Sequence, residues 1–558
     1  MTQSAQQMFD LHRETLNQAV GAISRRDFWT PYPESMRKYP EDAVKAAPSR
    51  FESLLNQPFT LNRIGSAQQV GGEVSPYGFE LGITYDQPNP DELIAAMQVA
   101  MRDWRDAGAE ARVGVCLEIL SRLNTMSPEI AQAVMHTSGQ GPLMAFQAGG
   151  PHAQDRGLEA VAHAWQAMAQ IPATTKWVKP QGKHEPIVMD KRFHIVPRGI
   201  SLVVACSTFP TWNTYPGLFA SLATGNPVIV KPHPGAILPV AITTRVAQQV
   251  LEEAGFDPCL VSLAPDTVDA PLTKTLALDP AVKLIDFTGS NAFGDWLIEN
   301  ATQAQVFAEK AGVNTVIIDS VENLKAVTAN LAFSLSLYSG QMCTTPQAIY
   351  VPKNGIETAD GPLSFDDVAA ALAKAVQAFL SDNDRACTVL GALQSRETQA
   401  RIDACRDLGD IALDSESRTH AHFPDARIHT PLILKVDAAQ KTTYSEERFG
   451  PISFVIATEN TAHSIELARE VIREKGAITL GGYTTDEAVA EQFEALAMDV
   501  AAPLSLNLDG GIFVNQSAAF SDFHATGGNP AANASLCNQA FVASRFVVVQ
   551  SRRHGQPN

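Results

Sequence analysis

One cysteine, Cys343, stands among small and polar residues in SGQMCTTPQ, residues 339–347. A thiol in such a place can be a small core hydrophobe. It can equally be a nucleophile at a helix terminus, its thiolate favoured by nearby dipoles. At an ordinary pKa of ~8.5 only a few per cent of a thiol is ionised at neutral pH, so activation must come from neighbours. Four other features could supply them. Asn213 in TFPTWN lies between an apolar run and a helix-like stretch; it can cap that helix or donate its amide to an oxyanion. Glu309 in VFAEKAGVN is flanked by Phe307, Ala308 and Ala311. It is either solvated or partly buried with a raised pKa, which would suit a general base. Lys231 ends the run VIVK and is either solvated or a donor to ribose and phosphate. Gly289, Ser290 and Gly294 form GSxxxG in DFTGSNAFG. Glycine there lets backbone approach a pyrophosphate at a helix N-terminus, although a tight turn also serves structure alone.

Positioning these residues requires regular elements around them. GISLVVACS, NPVIVKP, CLVSLAP and AVKLIDFTGS read as buried strands, separated by helical stretches such as ILPVAITTRVAQQVLEEAG. Strands alternating with helices of ten or more residues predict βαβ units and a parallel sheet of the dinucleotide-binding kind. Beyond Glu309 the alternation restarts with VNTVIIDS, PQAIYVP, TPLILKV, ISFVIAT and AITLGGY, which predicts a second α/β body. Residues from Pro90 to about Gln170 carry helical spacing. Residues 1 to about 50 read as a short helix and an irregular lead-in, and NQAFVASRFVVVQSRR as a terminal strand that could join a neighbouring sheet.

Composition narrows the function classes. The 558 residues carry a formal net charge of −18, which argues against nucleic acid or an anionic membrane surface as partner. No apolar run approaches the ~20 residues of a membrane helix, and the N-terminus lacks a basic-then-apolar leader. The seven cysteines are scattered without a CxxC pair, which predicts free thiols in a reducing, cytoplasmic setting. His420, His422 and His429 find no nearby carboxylate or cysteine to complete a set, so no metal is expected.

Taken in order, PTWN, KPHP, FTGSNAFG, AEKAG, SGQMCTTPQ and EERFGPI (446–452) resemble the aldehyde dehydrogenase superfamily, including the spacing 343 − 309 = 34 from glutamate to cysteine. The resemblance implies an α/β fold with a Rossmann-type cofactor domain, an α/β catalytic domain and a β oligomerisation arm. The expected ranges are 1–174 and 196–310 for the cofactor, 311–515 for catalysis, and 175–195 with 516–558 for the arm. It implies Cys343 as nucleophile, Glu309 as general base and Asn213 as oxyanion donor. Lys231, Gly289, Ser290, Gly294 and Trp212 would serve the cofactor, with Glu447 on the nicotinamide ribose and Phe449 beside the ring. A glutamate at position 309 implies hydrolysis of the acyl-enzyme rather than transfer to coenzyme A. Non-redox alternatives are a cysteine thioesterase or acyl-transfer enzyme, and a scaffold for coenzyme A esters.

TLNQAVGAISRRDFWTPYPES, VSPYGFELGITY and FSDFHATGGNPAANASL are similar to the PaaN family of phenylacetic acid degradation proteins. That resemblance implies a ring-opened, coenzyme A-linked semialdehyde as substrate. Arms of this kind imply a homodimer or a dimer of dimers. Two departures stand out. The superfamily segment PFGGxKxSGxGRE is replaced by AAFSDFHATGGNPAAN, and Pro234 of KPHP stands where NAD-preferring relatives often carry a glutamate. Without that carboxylate a 2′-phosphate is not repelled, so the expected cofactor is NADP, with NAD admitted and His233 near the phosphate.

Overall fold

A computed structural model describes residues 4–62, 67–310 and 312–556. Ala311, one of the expected flanks of Glu309, lies outside the described residues, as do the extreme ends of the expected domain ranges, 1–3 and 557–558.

The apolar runs of the middle region form a five-stranded parallel sheet in the order Gln305–Glu309, Val282–Thr288, Ile200–Val204, Val228–Lys231, Val261–Leu263. Strand order reverses at Ile200–Val204. The chain first builds outward through Val228–Lys231 and Val261–Leu263, then returns to the other side. In open parallel sheets the crevice beyond the strand C-termini at such a reversal is where ligands bind. Asn213, Gly289 and Glu309 all sit at that end. No helix among the described residues is long and apolar enough to cross a membrane.

A second, seven-stranded sheet runs Asp410–Leu413, Leu432–Asp437, Ile452–Thr458, Ala348–Pro352, Thr315–Ile318, Leu480–Tyr483, Leu504–Leu506. It is parallel apart from the antiparallel edge strand Asp410–Leu413. A three-stranded antiparallel ribbon joins Thr174–Gln181, His184–Pro197 and Phe546–His554. Of Phe546–His554 only the first residue is buried, and Val547, Val548 and Val549 are exposed.

Three segments differ from expectation. The lead-in holds a long helix, Ala5–Arg25, started by a capping box between Ser4 and Gln7. Its apolar residues Met8, Phe9, Leu16, Ala19 and Ile23 are diluted by glutamines but share one face. That face packs on the helix Gly108–Thr125, where His12 meets Glu118 at 2.7 Å. The tail is strand only from Phe546, because Asn538 caps a short helix, Gln539–Ala543. Residues 516–558 are also not one arm. Only Phe546–His554 joins the ribbon, whereas Ala532 bridges Glu309 and His524 pairs with Leu536.

The tail is locked to the cofactor sheet by Arg545, which is fully buried. Its guanidinium donates to both oxygens of Asp286 at 2.6 and 2.7 Å and to the Ser221 hydroxyl at 2.8 Å. It also lies over the rings of Phe307 and Phe541. Removing the cation leaves a buried carboxylate unpaired, a change that costs about 3–5 kcal/mol. Arg545→Met is therefore expected to lower the unfolding free energy by that margin, and the urea midpoint with it. Adding Asp286→Leu should recover much of it. Equilibrium unfolding of the single and double variants checks both results.

Candidate active site

Cys343 lies in a loop after the helix Leu324–Ser336 and the 3₁₀ turn Leu337–Gly340. Three residues there are left-handed: Tyr338 (φ 53°), Ser339 (φ 48°) and Gly340 (φ 63°). Such geometry costs a residue with a side chain roughly 1–2 kcal/mol. Buried bonds hold it in place. The Tyr338 hydroxyl donates to the Ser138 carbonyl, and the Ser339 hydroxyl donates to the carbonyls of Leu390 and His429. At Gly340 a Cβ would stand 2.4 Å from the Gly450 oxygen. Only glycine lets the 446–450 loop come this close to the cysteine loop. Gln347 ties the same loops together, donating to the carbonyls of Tyr444 and Glu446 at 3.1 and 2.9 Å. Asn314 braces the other side, its amide donating to the Cys343 carbonyl at 2.7 Å.

The partners of Cys343 come from three distant segments. Asn213 stands at the N-cap position of the helix Thr214–Ala223, yet its side chain makes no capping bond. It donates to Glu309 Oε2 at 3.4 Å instead. That leaves the amide pointed into the site rather than spent on the helix. Glu309 closes the strand Gln305–Glu309 and is 5% exposed, so its carboxylate is held by protein donors. It accepts from Asn213 at 3.4 Å and from Nε2 of His524 at 3.1 Å, and Cys343 Sγ lies within 4.8 Å of it.

His524 was not found from the sequence. It lies in the replacement segment, its ring 3% exposed, with Nε2 3.7 Å from Cys343 Sγ. The one available signal was a histidine inside the stretch that departs from the superfamily pattern. No periodicity in that Gly-, Asn- and Ala-rich run places it near Glu309. The liganding atoms of Glu309, Cys343 and His524 lie within 4.8 Å of one another, a grouping that could hold a metal ion.

The electrostatics bear on two readings left open by the sequence. Glu309 could be solvated, or partly buried with a raised pKa. Burial does push it up, but His524, Cys343 and Asn213 outweigh this and hold it below the ordinary carboxylate range. The Cys343 thiol could be a small core hydrophobe, or a nucleophile at a helix terminus with its thiolate favoured by dipoles. It stands in a loop, half-buried, and is pushed well above the ordinary thiol value by desolvation and by the Glu309 carboxylate. At neutral pH the thiol therefore keeps its proton, and Glu309 is a carboxylate.

Of the expected cofactor residues, Lys231 and the Gly289–Ser290 turn stand at ends of the cofactor sheet's strands. Ser290 caps the helix Asn291–Asn300, its hydroxyl accepting from Phe293 N, and the Gly289 amide donates to the Glu309 carbonyl at 3.1 Å. The N-terminus of that helix is open to solvent at Ser290. Gly294 has a packing reason, since a Cβ there would meet Lys310 Cγ at 2.7 Å. Lys231 is buried and paired with Asp266 at 2.7 Å, so a bound hydroxyl would have to share it. Trp212 meets His524 edge-on with ring centres 4.7 Å apart and lies under Arg156. It is turned toward the C-terminal segment rather than the strand ends. The Phe449 carbonyl accepts from Arg401 at 2.5 Å. A cavity lined by Asp286, Thr288, Phe307 and Leu536 reaches Asn213 and Glu309. A solvent-facing helix N-terminus and a buried cation are donors of the kind a dinucleotide needs, and the Glu447 carboxyl is an acceptor of that kind.

Glu447 lies close enough to Cys343 to influence it, and desolvation pushes its carboxyl up to about 8. It is therefore neutral at pH 7 and ionises as pH rises through that value. A carboxylate accepts from ribose hydroxyls more strongly than its acid by ~1 kcal/mol, or roughly fivefold. The cofactor KM is expected to fall about that much from pH 7 to 9. Glu447→Gln should flatten the profile at the weaker value, as initial-rate kinetics across pH would record.

The profile of the Aldehyde dehydrogenase family matches residues 84–495, and the chain belongs to that family. The chain is similar to the crystal structure described as an NAD-dependent aldehyde dehydrogenase from Burkholderia multivorans. The two are 56% identical, with a TM-score of 0.97 over 100% of both chains. A 1-pyrroline-5-carboxylate dehydrogenase from Thermus shares the fold, with a TM-score of 0.72 at 16% identity over 95% of this chain and 99% of that one. Among curated relatives, the FUS7 protein of Gibberella fujikuroi is 28% identical over 55% of this chain, and the match spans 63% of that protein's length. The aldehyde dehydrogenase LUC3 of a Fusarium species is 24% identical over 68% of this chain and 74% of its own.

Proposed function

We propose that this protein oxidises an aldehyde to its carboxylic acid with a nicotinamide dinucleotide. The observation that carries the proposal is that the Asn213 amide lies 3.4 Å from Glu309, and that a Glu309 carboxylate oxygen lies within 4.8 Å of Cys343 Sγ. Cys343 adds to the carbonyl carbon. The Asn213 amide and the Cys343 backbone N–H donate to the oxyanion that forms. A dinucleotide held by Lys231, the Gly289–Ser290 turn and Glu447 supplies the hydride acceptor when bound. Glu309 then takes a proton from water, whose oxygen attacks the thioester on Cys343 and frees the acid.

Glu309 is a carboxylate in the resting site, as a hydrolytic base must be, and this favours a free acid over an acyl-coenzyme A product. We take the substrate to be a coenzyme A-linked semialdehyde of phenylacetate breakdown, on the resemblance of the chain ends. The solvent-facing ribbon strand Phe546–His554 suits a homodimer or a dimer of dimers. Pro234 leaves no carboxylate against a 2′-phosphate, with His233 exposed beside it.

The test is a spectrophotometric panel of free and coenzyme A-linked aldehydes with NAD and NADP. We expect free acid equal to cofactor reduced, and no acyl transfer when coenzyme A is added. NADP should reach a kcat/KM within about tenfold of NAD, since no repulsion worth ~1.4 kcal/mol or more is present. Thioester cleavage that needs no dinucleotide would overturn the reading.

A further inference from the structure

The segment that replaces the common superfamily run is built into the site rather than laid over it. His524 is fixed by paired backbone bonds with Leu536, each at 2.9 Å. Behind it the guanidinium of Arg156, itself fully buried, donates to the carbonyls of Asp522 (3.0 Å) and Leu536 (3.3 Å) and to the Ser517 hydroxyl (3.1 Å). The Phe520 amide donates to Glu159, and Phe520 packs edge-on against Trp29. Three parts of the chain far apart in sequence thus hold one imidazole in place, with the ring of Trp212 against it.

The orientation of that ring has a chemical consequence. Glu309 as a carboxylate can only accept, so His524 Nε2, at 3.1 Å, carries the hydrogen. The same nitrogen stands 3.7 Å from Cys343 Sγ. One N–H therefore has two anionic or latently anionic acceptors, and a small rotation of the ring moves it from one to the other.

We infer that His524 is a catalytic residue whose Nε2–H stabilises the Cys343 thiolate at the moment of attack. The step balances without a further reagent. The S–H bond of Cys343 breaks and its proton goes to Glu309. The neutral acid competes less for the imidazole N–H, which turns to sulfur. The sulfur electron pair then forms the S–C bond, while the carbonyl π pair moves onto oxygen. Once sulfur is bonded to carbon it is a poor acceptor. The N–H returns to Glu309 as that group gives its proton to solvent and becomes the base for the hydrolytic half. The inference rests on reading Cys343 as the nucleophile.

Thiol reactivity tests it apart from turnover. Full-length wild type, His524→Gln and His524→Asn are alkylated with iodoacetamide at one fixed pH, without aldehyde or dinucleotide, and modification of the Cys343 peptide is followed by mass spectrometry. The Gln amide reaches the position of Nε2 and keeps an N–H there, whereas the Asn amide stops short of it. A hydrogen bond to a charged acceptor supports about a tenfold or greater slowing for His524→Asn, with His524→Gln within about threefold of wild type. Equal rates in all three proteins, or equal slowing in both variants, overturn the inference. A wild type that alkylates at Cys343 yet oxidises nothing in the aldehyde panel would instead sink the functional reading and leave the role of His524 in thiol reactivity to stand on the variants.

Discussion

Cys343→Ser is expected to lower aldehyde oxidation by on the order of 10⁴-fold or more while dinucleotide binding stays within about twofold of wild type. The asymmetry follows from geometry. A serine hydroxyl is nearly the same size, so the loop held by Asn314 and Gln347 keeps its shape. Its pKa is far above that of a thiol, and the Glu309 carboxylate is too weak a base to ionise it. The dinucleotide contacts proposed for Lys231, the Gly289–Ser290 turn and Glu447 do not involve the sulfur. Steady-state rates together with fluorescence titration of the dinucleotide check both halves. Retained activity in the serine variant would mean that the chemistry lies elsewhere.

Glu309→Gln should split the reaction in two. The amide still fits the pocket, and its one oxygen can accept at one of the two places now served by separate oxygens, from Asn213 (3.4 Å, at Oε2) or from His524 (3.1 Å, at Oε1). It cannot accept a proton from water. A general base of this kind is worth roughly 10²–10⁴-fold, so steady-state turnover falls by that factor. The first turnover is expected to survive in part and to appear as a burst of reduced dinucleotide near one equivalent per active site. Stopped-flow absorbance reads the burst directly. A variant that loses burst and steady state together would show that no other group can take the Cys343 proton and that attack depends wholly on Glu309. Unchanged steady-state turnover would show that hydrolysis uses another base.

The parts of this site that were legible in the sequence are those carried by strand ends. Val282–Thr288 and Val228–Lys231 are short apolar runs closed by polar residues, so the places of Ser290 and Lys231 could be read before any coordinates. Position did not reveal partnership. Lys231 looked free, yet it is paired with Asp266, a residue that follows the next strand. Asn213 looked like a helix cap, and its N-cap position is real, but its amide is drawn to Glu309. Charge states were the least legible. Burial alone raises Glu309, and the net direction is set by three neighbours from separate segments, none of them encoded near residue 309.

His524 shows the limit most plainly. Residues 517–537 hold no α-helix or β-strand, and their placement depends on Arg156, Glu159 and Trp29, which lie several hundred residues earlier. The helix Ala5–Arg25 was missed for a milder reason of the same kind. Its apolar face is sparse, and its stability comes from the helix Gly108–Thr125 that it covers.

The most direct test is to trap the covalent intermediate. Glu309→Gln is mixed with an aldehyde that gives a burst and with the dinucleotide, quenched in acid, and digested for mass spectrometry. The account predicts a Cys343 peptide heavier by the aldehyde less two hydrogens, the mass of an acyl thioester, and only when the dinucleotide is present. An adduct at another residue, or no oxidised adduct at Cys343 during a burst, would contradict it.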